Sequence, residues 1–355
     1  MFWYERYLMI CPPAKFTLFQ MMAGAGVGGA ELFFERLAIA FHQAGVSQKL
    51  CIKPHAARIA RLSEAGLMVH SSSYSPLTAP LQRLRCKQLI KQAGADILLT
   101  WMNRATQLAP KGNFVHVARL GGYYNLKYYS GCDHLVANTQ GIADYLIREG
   151  VPAHKVHHQV NFAPDGAEVT PVPHPAEAKD KIVLAALGRL HPNKGFDTLL
   201  AALGQCRDVH LLLAGTGPEQ DRLIQLAEQL GVGNHVSFLG WQDSPQAVIR
   251  AADIFICPSR HEPFGNVIAE AFACHRPVIA TASQGAVEYI NTSQTQTGMI
   301  VPVDDSRALA GAIGELAQKP AIRAELAEAG YREWAARFHP DQVVADWISY
   351  LNKVA

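Results

Sequence analysis

Residues 181–217, KIVLAALGRLHPNKGFDTLLAALGQCRDVHLLLAGTG, contain the pattern that decides the fold. Continuous apolar runs at Lys181–Leu187 and His210–Ala214 are typical of buried strands, and the periodic segment Gly195–Gln205 between them is typical of a helix. Strands that are apolar on both faces and alternate with helices indicate a parallel sheet covered on both sides. This stretch therefore predicts an α/β fold.

The same alternation extends from this stretch towards both ends of the chain. It is interrupted at Ala163–Pro175, where four prolines occur without apolar periodicity, and we interpret this segment as an interdomain linker. A chain of 355 residues is also long for one hydrophobic core. We therefore predict two doubly wound α/β domains, residues 1–165 and 166–338, with ligand sites in the loops after the carboxyl ends of the strands.

The composition narrows the class of protein. Hydrophobic residues make up 49% of the chain and charged residues 17%, which excludes a disordered protein. The net charge of +2 conceals an asymmetry, because residues 1–165 contain 17 Lys and Arg against 9 Asp and Glu, whereas residues 166–355 contain 15 against 21. The resulting charges of +8 and −6 indicate an anionic partner for the first domain.

The sequence also indicates a cytoplasmic location. Its seven scattered cysteines include no C-x-x-C pair, a pattern typical of free thiols in a reducing compartment. No run of eighteen apolar residues occurs, so no membrane span is expected. The aromatic opening MFWYERYLMICPP has no cleavage site, and we interpret it as an extension before the first strand, with peripheral membrane contact as the alternative.

A glycine-rich loop, Ala23–Glu31, follows the first strand and opens a helix. Its glycines let backbone N–H groups approach an anion, which favours phosphate contact over a bare turn without a ligand. The spacing of Gly24, Gly26 and Gly29 also matches the dinucleotide fingerprint. That fingerprint requires an acidic residue after the second strand, where this chain has Lys53-Pro54-His55, so NAD binding is disfavoured.

Two loops of the second domain carry further signals for phosphate. The loop after Lys181–Leu187 holds Gly188 and two cations, Arg189 and Lys194, which can neutralise phosphate oxygens. The next strand is followed by Gly215-Thr216, where a ligand can approach the backbone. Exposed cations and bare turns are the alternative interpretations of these two loops.

The most specific signal is Ser259–Glu270, SRHEPFGNVIAE. Pro263 forces Glu262 into an extended conformation, and Gly265 allows close approach just before a new helix begins. Glu262 and Glu270 are suited to the hydroxyls of a sugar and a ribose, while the amides that open the helix suit phosphate. A solvated position for Glu270 is the alternative.

With these motifs, the sequence resembles the retaining glycosyltransferases of family 4 along most of its length, most strongly over Lys181–Tyr289. The specific marks are the Glu-x7-Glu pair in EPFGNVIAEAFACHRPVIAT, together with LGRLHPNKG, LLLAGTGPE and GVGGAE. The resemblance implies the GT-B architecture, two Rossmann-like domains facing across a cleft. The second domain would hold a nucleotide sugar, the first the acceptor, and residues 339–355 would form a helix that returns to the first domain.

The resemblance also implies roles for individual residues. Arg189 and Lys194 would neutralise the diphosphate with Gly28 and Gly29, Glu270 would hold the ribose, and Glu262 would hold donor-sugar hydroxyls. The remaining donor-binding positions implied are Gly188, Gly215, Thr216, Phe264, Gly265, Asn266 and Val267. No cofactor or metal is implied beyond the co-substrate, a UDP-, GDP- or ADP-linked sugar.

The acceptor-side assignment stays open between two residues. Members of this family carry a His at the end of a strand in the first domain, and the matching region here is Phe114–Gly122. Either His116 or Arg119 corresponds to it, and strand alternation puts these two side chains on opposite faces.

The expected acceptor is a glycolipid, lipopolysaccharide or exopolysaccharide precursor. A basic helix with Arg83, Arg85, Lys87 and Lys91 suits either an anionic membrane surface at the inner face of the plasma membrane or a solvated face. Nucleic acid is not an expected partner. The alternatives to a transferase are a nucleotide-sugar epimerase, an NAD(P)-dependent oxidoreductase and a silent sugar-nucleotide-binding protein.

Overall fold

The computed structural model describes residues 11–24, 26, 28–290 and 296–355. The chain divides into two compact units: one runs to Asn161 and includes Pro340–Ala355, and the other is Phe162–His339. Most of the aromatic opening segment lies outside the described residues.

The first unit is built on a parallel sheet of seven strands. Its central strands are buried almost throughout, as their apolar sequences require. The strand order is β3-β2-β1-β4-β5-β6-β7. The strands are β1 (Thr17–Met22), β2 (Ser47–Ile52), β3 (Val69–Ser71), β4 (Ile97–Trp101), β5 (Val115–Leu120), β6 (His134–Ala137) and β7 (Val156–His158). The helices between them are α1 (Gly29–Gln43), α2 (Ala56–Glu64), α3 (Ala79–Ala93), α4 (Met102–Leu108) and α5 (Gln140–Arg148).

The second unit repeats this plan with six parallel strands in the order β10-β9-β8-β11-β12-β13. The strands are β8 (Ile182–Leu187), β9 (Val209–Ala214), β10 (Val236–Gly240), β11 (Ile254–Cys257), β12 (Val278–Thr281) and β13 (Gly298–Val301). The helices are α6 (Phe196–Leu203), α7 (Gln220–Gln229), α8 (Pro245–Ala251), α9 (Asn266–Ala273), α10 (Gln284–Tyr289), α11 (Ser306–Gln318) and α12 (Pro320–Glu333). Both sheets have the doubly wound order that the sequence predicts.

The last helix, α13 (Pro340–Val354), packs in the first unit. Its Trp347 is fully buried and meets the ring of Phe41 on α1 edge to face. Its Asn352 accepts a hydrogen bond from the backbone of Lys15 at 2.8 Å. The first unit is therefore discontinuous in sequence, and its core includes apolar side chains of this last helix.

The proline-containing segment Ala163–Pro175 is not a free linker. Its backbone forms hydrogen bonds with the rest of the second unit: Gly166 N–H donates to the carbonyl of Ala273, and Val172 N–H donates to the carbonyl of Ala247. The crossing between units consequently lies at Asn161–Phe162, four residues before the expected boundary at residue 165. Prolines here limit backbone freedom without preventing an extended segment from packing on a neighbouring surface.

Several short elements had no clear signal in the sequence: β3, β7, β13, α4, α5 and α10. None of the helices in the described part of the chain is both long enough and apolar enough to span a membrane.

Candidate active site

The second sheet has its topological switch point between β8 and β11. Strand β8 is flanked by β9 on one side and by β11 on the other, so the connections leave in opposite directions there. Ligands of doubly wound sheets bind outside the carboxyl ends of the strands at such a point. The loops Gly188–Gly195 and Pro258–Gly265 begin at this edge, and they contain the predicted site residues.

The loops after β8 and β9 are in direct backbone contact. Gly215 has φ +133°, and a Cβ there would lie 1.8 Å from the carbonyl oxygen of Gly188. The carbonyl of Thr216 accepts a hydrogen bond from Leu190 N–H at 2.9 Å. The structure thus brings Gly188, Gly215 and Thr216 together, with glycine required at residue 215 by both space and conformation.

Arg260 ties the loop after β11 to the loop after β8. Its guanidinium meets the carboxylates of Asp197 at 2.9 Å and Asp304 at 2.6 Å, and it donates to the carbonyl of Pro192 at 2.6 Å. Its backbone N–H donates to the carbonyl of Asn193. Nothing in SRHEPFG indicates which side chain bridges to another loop, so the sequence does not predict this role of Arg260.

Lys194 and Glu262, 68 residues apart, form an ion pair between these loops. Both side chains are largely buried, with exposed fractions of 23% and 14%. Burial alone would lower the pKa of Lys194, but the adjacent Glu262 carboxylate outweighs it and raises the pKa of Lys194. Lys194 is therefore a cation at neutral pH.

Arg189 differs from Lys194 because it is exposed and has no hydrogen bond or ion pair within the described residues. It stands directly after Gly188 at the carboxyl edge of β8. Its guanidinium can therefore bind an incoming anion without first giving up an internal partner.

Helix α9 begins at this edge without a side-chain cap. Its N-cap is Gly265, with φ +87°, so the N–H groups of the first turn, beginning with Asn266 and Val267, have no cap from that residue. Phe264 points into the protein, where it packs with the rings of Tyr289 and Phe338. Only the backbone of Phe264 remains for a ligand.

Glu270 is a buried carboxylate one turn beyond the start of α9, with 5% of its surface exposed. This placement contradicts the alternative of a solvated helix residue. A buried acid implies a specific partner or function, because an unpaired buried charge is costly.

In the first unit, the glycine loop leads into α1, whose N-cap is Gly28 in an extended conformation with no side-chain cap. The carboxylate of Glu31 folds back over this loop, since a Cβ on Gly24 would lie 2.6 Å from its Oε1. Residues Gly28 and Gly29 are thus at the edge of the sheet, as the sequence predicts, and the carboxylate of Glu31 lies beside them.

His116 lies in the interior near the amino end of β5. Its Nε2 is 3.0 Å from the hydroxyl of Thr100, and its backbone N–H donates to Asp133 at 2.8 Å. Burial lowers the pKa of His116 to about 4, against the opposing effect of Asp133. His116 is a neutral, hydrogen-bonded core residue.

Arg119 lies nearer the carboxyl edge of β5, where it pairs in register with Trp101, the last residue of β4. Its guanidinium donates to Asn161 at 2.6 Å and stacks within 5.5 Å of the rings of Phe33 and Trp101. Arg119, and not His116, is therefore the candidate that lies near the carboxyl edge of the sheet, where ligands of such sheets bind. Only 4% of its surface is exposed.

No group of three or more His, Cys, Asp or Glu side chains with metal-site geometry occurs among the described residues.

Comparisons with known proteins agree with this architecture. Residues 172–333 match the sequence model of the family described as "Glycosyl transferases group 1". The chain is 33% identical over 333 residues to the lipopolysaccharide core biosynthesis glycosyltransferase LpsE of Rhizobium meliloti, which covers 91% of this chain and 96% of that protein.

Two solved structures share the fold at 21% identity. One is a glycosyltransferase from Rickettsia africae, with a TM-score of 0.82, and the match covers 96% of this chain and 98% of that one. The other is Anabaena HepE in complex with UDP, with a TM-score of 0.79, and the match covers 95% of this chain and 100% of that one. The matches decide against the oxidoreductase alternative. The chain belongs to the group 1 glycosyltransferases and has their GT-B fold.

Proposed function

We propose that this glycosyltransferase moves a sugar from a nucleoside diphosphate sugar to a glycolipid, lipopolysaccharide or exopolysaccharide acceptor. We further propose that it needs no metal ion and retains the anomeric configuration. The proposal rests on the contact between two loops, Gly188–Gly195 and Pro258–Gly265, at the switch point of the second sheet. They supply a free cation, a carboxylate paired with a lysine, and the uncapped start of α9.

Arg189 and the start of α9 would bind the diphosphate. Arg189 is exposed and without a partner in the described residues, so it can form a bidentate pair with phosphate oxygens. The N–H groups of a helix N-terminus add donors and a partial positive charge. Lys194 is already paired with Glu262, so it adds less to the stabilisation of the diphosphate than Arg189 does.

Glu262 would bind the donor sugar. A carboxylate only accepts hydrogen bonds, so it suits sugar hydroxyls, and the ion pair with Lys194 holds it in place. Glu270 would accept the ribose hydroxyls, in keeping with its buried position on α9.

The proposed reaction forms a bond between the acceptor oxygen and the anomeric carbon on the face from which the diphosphate leaves. The bond from that carbon to the β-phosphate oxygen breaks, and the proton of the acceptor hydroxyl passes to the departing phosphate. Catalysis then depends on stabilising the negative charge on the leaving group. Each well-placed donor contributes about 3 kcal/mol to such stabilisation.

The acceptor class follows from the relatives and from the first unit. LpsE and LpsD of Rhizobium meliloti are both described as lipopolysaccharide core biosynthesis glycosyltransferases. In the first unit, an open pocket of about 310 Å³ lies at the carboxyl ends of β2 and β3. Hydroxyls, an amide and a guanidinium line it, a combination suited to a sugar: Pro54, Ser71, Ser72, Ser73, Leu81, Gln82 and Arg85.

Nucleotide binding is the first test. We expect one of UDP, GDP and ADP to raise the melting temperature, and UDP comes first because the similar Anabaena fold was solved with it. Arg189→Ala should abolish the shift. Arg207→Ala, an exposed arginine just before the amino end of β9, is the matched control and should leave the shift unchanged. No shift with any of the three nucleotides would refute the donor site.

Turnover tests the chemistry. We expect hydrolysis of one nucleotide sugar from a panel of UDP-, GDP- and ADP-sugars, at a rate that EDTA does not change. Proton NMR of the transfer product should show the same anomeric configuration as the donor. Inversion, or loss of activity with EDTA that a divalent cation restores, would contradict these two parts of the proposal.

We also propose that α3 contacts an anionic membrane at the inner face of the plasma membrane, and the seven free cysteines fit this reducing compartment. Residues 65–95 contain four basic residues and no acidic one. Leu81 and Leu84 lie on one exposed face of α3, and Leu77 just before it is 94% exposed. An interfacial helix has two features: apolar side chains that enter the headgroup region, and cations that lie near anionic lipids. The exposed leucines and the basic residues of this segment match them.

Vesicle sedimentation tests this contact. The protein should bind vesicles of 30% phosphatidylglycerol in phosphatidylcholine at low salt, and it should not bind pure phosphatidylcholine. Leu81→Ser with Leu84→Ser should weaken binding at least fivefold, whereas Leu230→Ser, an exposed leucine of the second unit, should not. Equal binding by all variants would contradict the assignment.

A further inference from the structure

The guanidinium of Arg260 is bound to partners within the second unit. Its Nη1 and Nη2 lie 2.9 and 3.0 Å from the two oxygens of the Asp197 carboxylate, which is the bidentate geometry of a strong ion pair. Its Nε donates to Oδ1 of Asp304 at 2.6 Å, and Nη1 also donates to the carbonyl of Pro192 at 2.6 Å. All three nitrogens are therefore engaged, and one cation faces two carboxylates.

These partners distinguish Arg260 from a residue that binds phosphate. Burial alone would raise the pKa of Asp197, but the hydrogen bonds and the positive charge of Arg260 outweigh burial and lower that pKa. Asp197 is therefore an anion at neutral pH. An incoming phosphate would have to displace this carboxylate from Arg260, whereas Arg189 has no such partner within the described residues. Arg260 consequently acts through the protein groups that it contacts.

Arg260 joins the two loops beside the point where Lys194 and Glu262 meet. The guanidinium contacts the carbonyl of Pro192, two residues before Lys194. Arg260 itself lies two residues before Glu262 on the other loop. Its backbone N–H also donates to the carbonyl of Asn193 at 2.8 Å. The contacts of Arg260 thus form the step next to the ion pair along both loops.

The two carboxylates hold the guanidinium from outside these loops. Asp197 lies in the first turn of α6, and Asp304 follows β13. Oγ1 of Thr198 donates to Oδ1 of Asp304 at 3.1 Å, so the two anchors are also connected to each other. A displacement of the loop after β11 would break several charge-assisted hydrogen bonds at once, and such bonds are stronger than neutral ones.

We infer that Arg260 is a positioning residue of the transferase: it holds the loop after β11 so that the Glu262 carboxylate stays beside Nζ of Lys194, where the donor sugar binds. This inference rests on the proposed function, in which Glu262 binds that sugar. A small displacement of Glu262 would misplace the sugar and lower kcat. Nucleotide binding should depend less on Arg260, because Arg189 belongs to the other loop.

Three substitutions and one control test the inference. Arg260→Gln removes the charge, and Arg260→Lys keeps the charge but cannot form the bidentate pair. Asp304→Asn removes one anchor, and because Asn tolerates the left-handed φ of +60° at this position, the variant should fold even where Arg260→Gln does not. The matched control is Arg222→Gln, which removes a cation that contacts the same Asp197 at 3.6 Å but none of the loop carbonyls.

Each variant is first shown to be folded by circular dichroism. Its kcat is then measured with the nucleotide sugar that the wild type hydrolyses fastest, and the Kd of the corresponding nucleoside diphosphate is measured by calorimetry. We expect kcat to fall about tenfold or more in Arg260→Gln and by less in Arg260→Lys and Asp304→Asn, while the Kd changes less than threefold. Arg222→Gln should keep the wild-type kcat.

A double-mutant cycle separates positioning from a general effect on the fold. If Arg260 acts through Glu262, Arg260→Gln should lower kcat less than twofold in a protein that already carries Glu262→Gln. Asp304→Asn replaces Arg260→Gln in this cycle where the latter does not fold.

Three results would overturn the inference: wild-type kcat in the folded variants of Arg260 and Asp304, an equal loss in Arg222→Gln, or an undiminished effect in the Glu262→Gln background. A wild type that hydrolyses no nucleotide sugar would instead refute the proposed function.

Discussion

The ion pair of Lys194 and Glu262 gives the charged residues at the site different roles. Each neutralises the other before any substrate binds, so the pair attracts a diphosphate weakly. Arg189, which has no partner within the described residues, supplies the unbalanced positive charge. Binding of the nucleotide and handling of the sugar are therefore expected to depend on different residues.

Glu262→Gln tests this division. The change keeps the size of the side chain but removes the charge that Lys194 balances and one acceptor for sugar hydroxyls. We expect kcat for nucleotide-sugar hydrolysis to fall about 100-fold, an effect of the size seen when one electrostatic contact is lost. The Kd of the free nucleoside diphosphate, measured by calorimetry, should change less than threefold. A parallel loss of both would show that the pair of Lys194 and Glu262 is needed for nucleotide binding as well, and would contradict this division.

His116 predicts a dependence of stability on pH. Its pKa is lowered from 6.5 to about 4 in the folded state, so the unfolded chain binds the proton more tightly. The stabilisation is fully present above pH 6.5 and is lost as the pH falls towards 4, by about 3 kcal/mol in total. His116→Gln should flatten the decline in melting temperature between pH 7 and 4.5. An unchanged slope would mean that other groups dominate acid unfolding.

At the scale of elements, the loops of the second sheet are in close backbone contact with one another. Gly215 places its Cα against the carbonyl of Gly188, and Gly195 does the same against Pro258, where a Cβ would lie 2.0 Å from the carbonyl oxygen. Three connections that start at neighbouring strands are thereby held within hydrogen-bonding distance of one another. Main-chain contacts therefore join these loops, in addition to the side chains of Arg260, Lys194 and Glu262.

Gly215→Ala tests that dependence. The new methyl group would overlap the carbonyl of Gly188, and the alanine would have to keep an unfavourable φ. We therefore expect the free energy of unfolding to fall by more than about 2 kcal/mol and nucleotide binding to be lost. The control is Gly231→Ala, at φ +68° with open space around it, which should cost about 1 kcal/mol and leave binding intact. Denaturant titration and the nucleotide-induced melting shift measure both effects.

The sequence predicted the long elements of both sheets and the loops that carry the site. Strands such as Ile254–Cys257 are apolar on both faces and therefore easy to recognise. The short strand Val156–His158 and the helix Met102–Leu108 are mixed in polarity and have no period to detect. Tertiary contacts alone define them.

The same limit applies to the site. The positions of Lys194 and Glu262 follow from the topology, because both loops leave the sheet at its switch point, but their pairing depends on how the loops fold. Arg58 on α2 is fully buried and donates to the carboxylate of Glu35 and to the carbonyls of Gly24 and Gly26. The sequence AARIARLSE does not indicate this, because an arginine in it is expected on an exposed helix face.

At the scale of the whole molecule, the first unit depends on the last helix of the chain. Helix α13 buries five large apolar side chains: Val343, Val344, Trp347, Ile348 and Leu351. At about 1.5–3 kcal/mol each, their loss is comparable to the whole stability of a domain.

Deletion of residues 340–355 tests this dependence. We expect hydrogen exchange to become fast throughout the described residues before Asn161, while Phe162–His339 keeps its protection. Deletion of residues 354–355 alone, which are not buried, is the control and should change neither unit. Loss of protection in both units would show that they do not unfold independently.

The return of α13 to the first unit also sets an order of events during synthesis. The second unit is a continuous stretch of chain, so it can complete its core once residue 339 has left the ribosome. The first unit has to wait for residues 340–355, although most of it emerges earlier. The half of the protein that is made first is thus the half that matures last, and its exposed apolar surface over that interval is the part of the chain that most needs a chaperone.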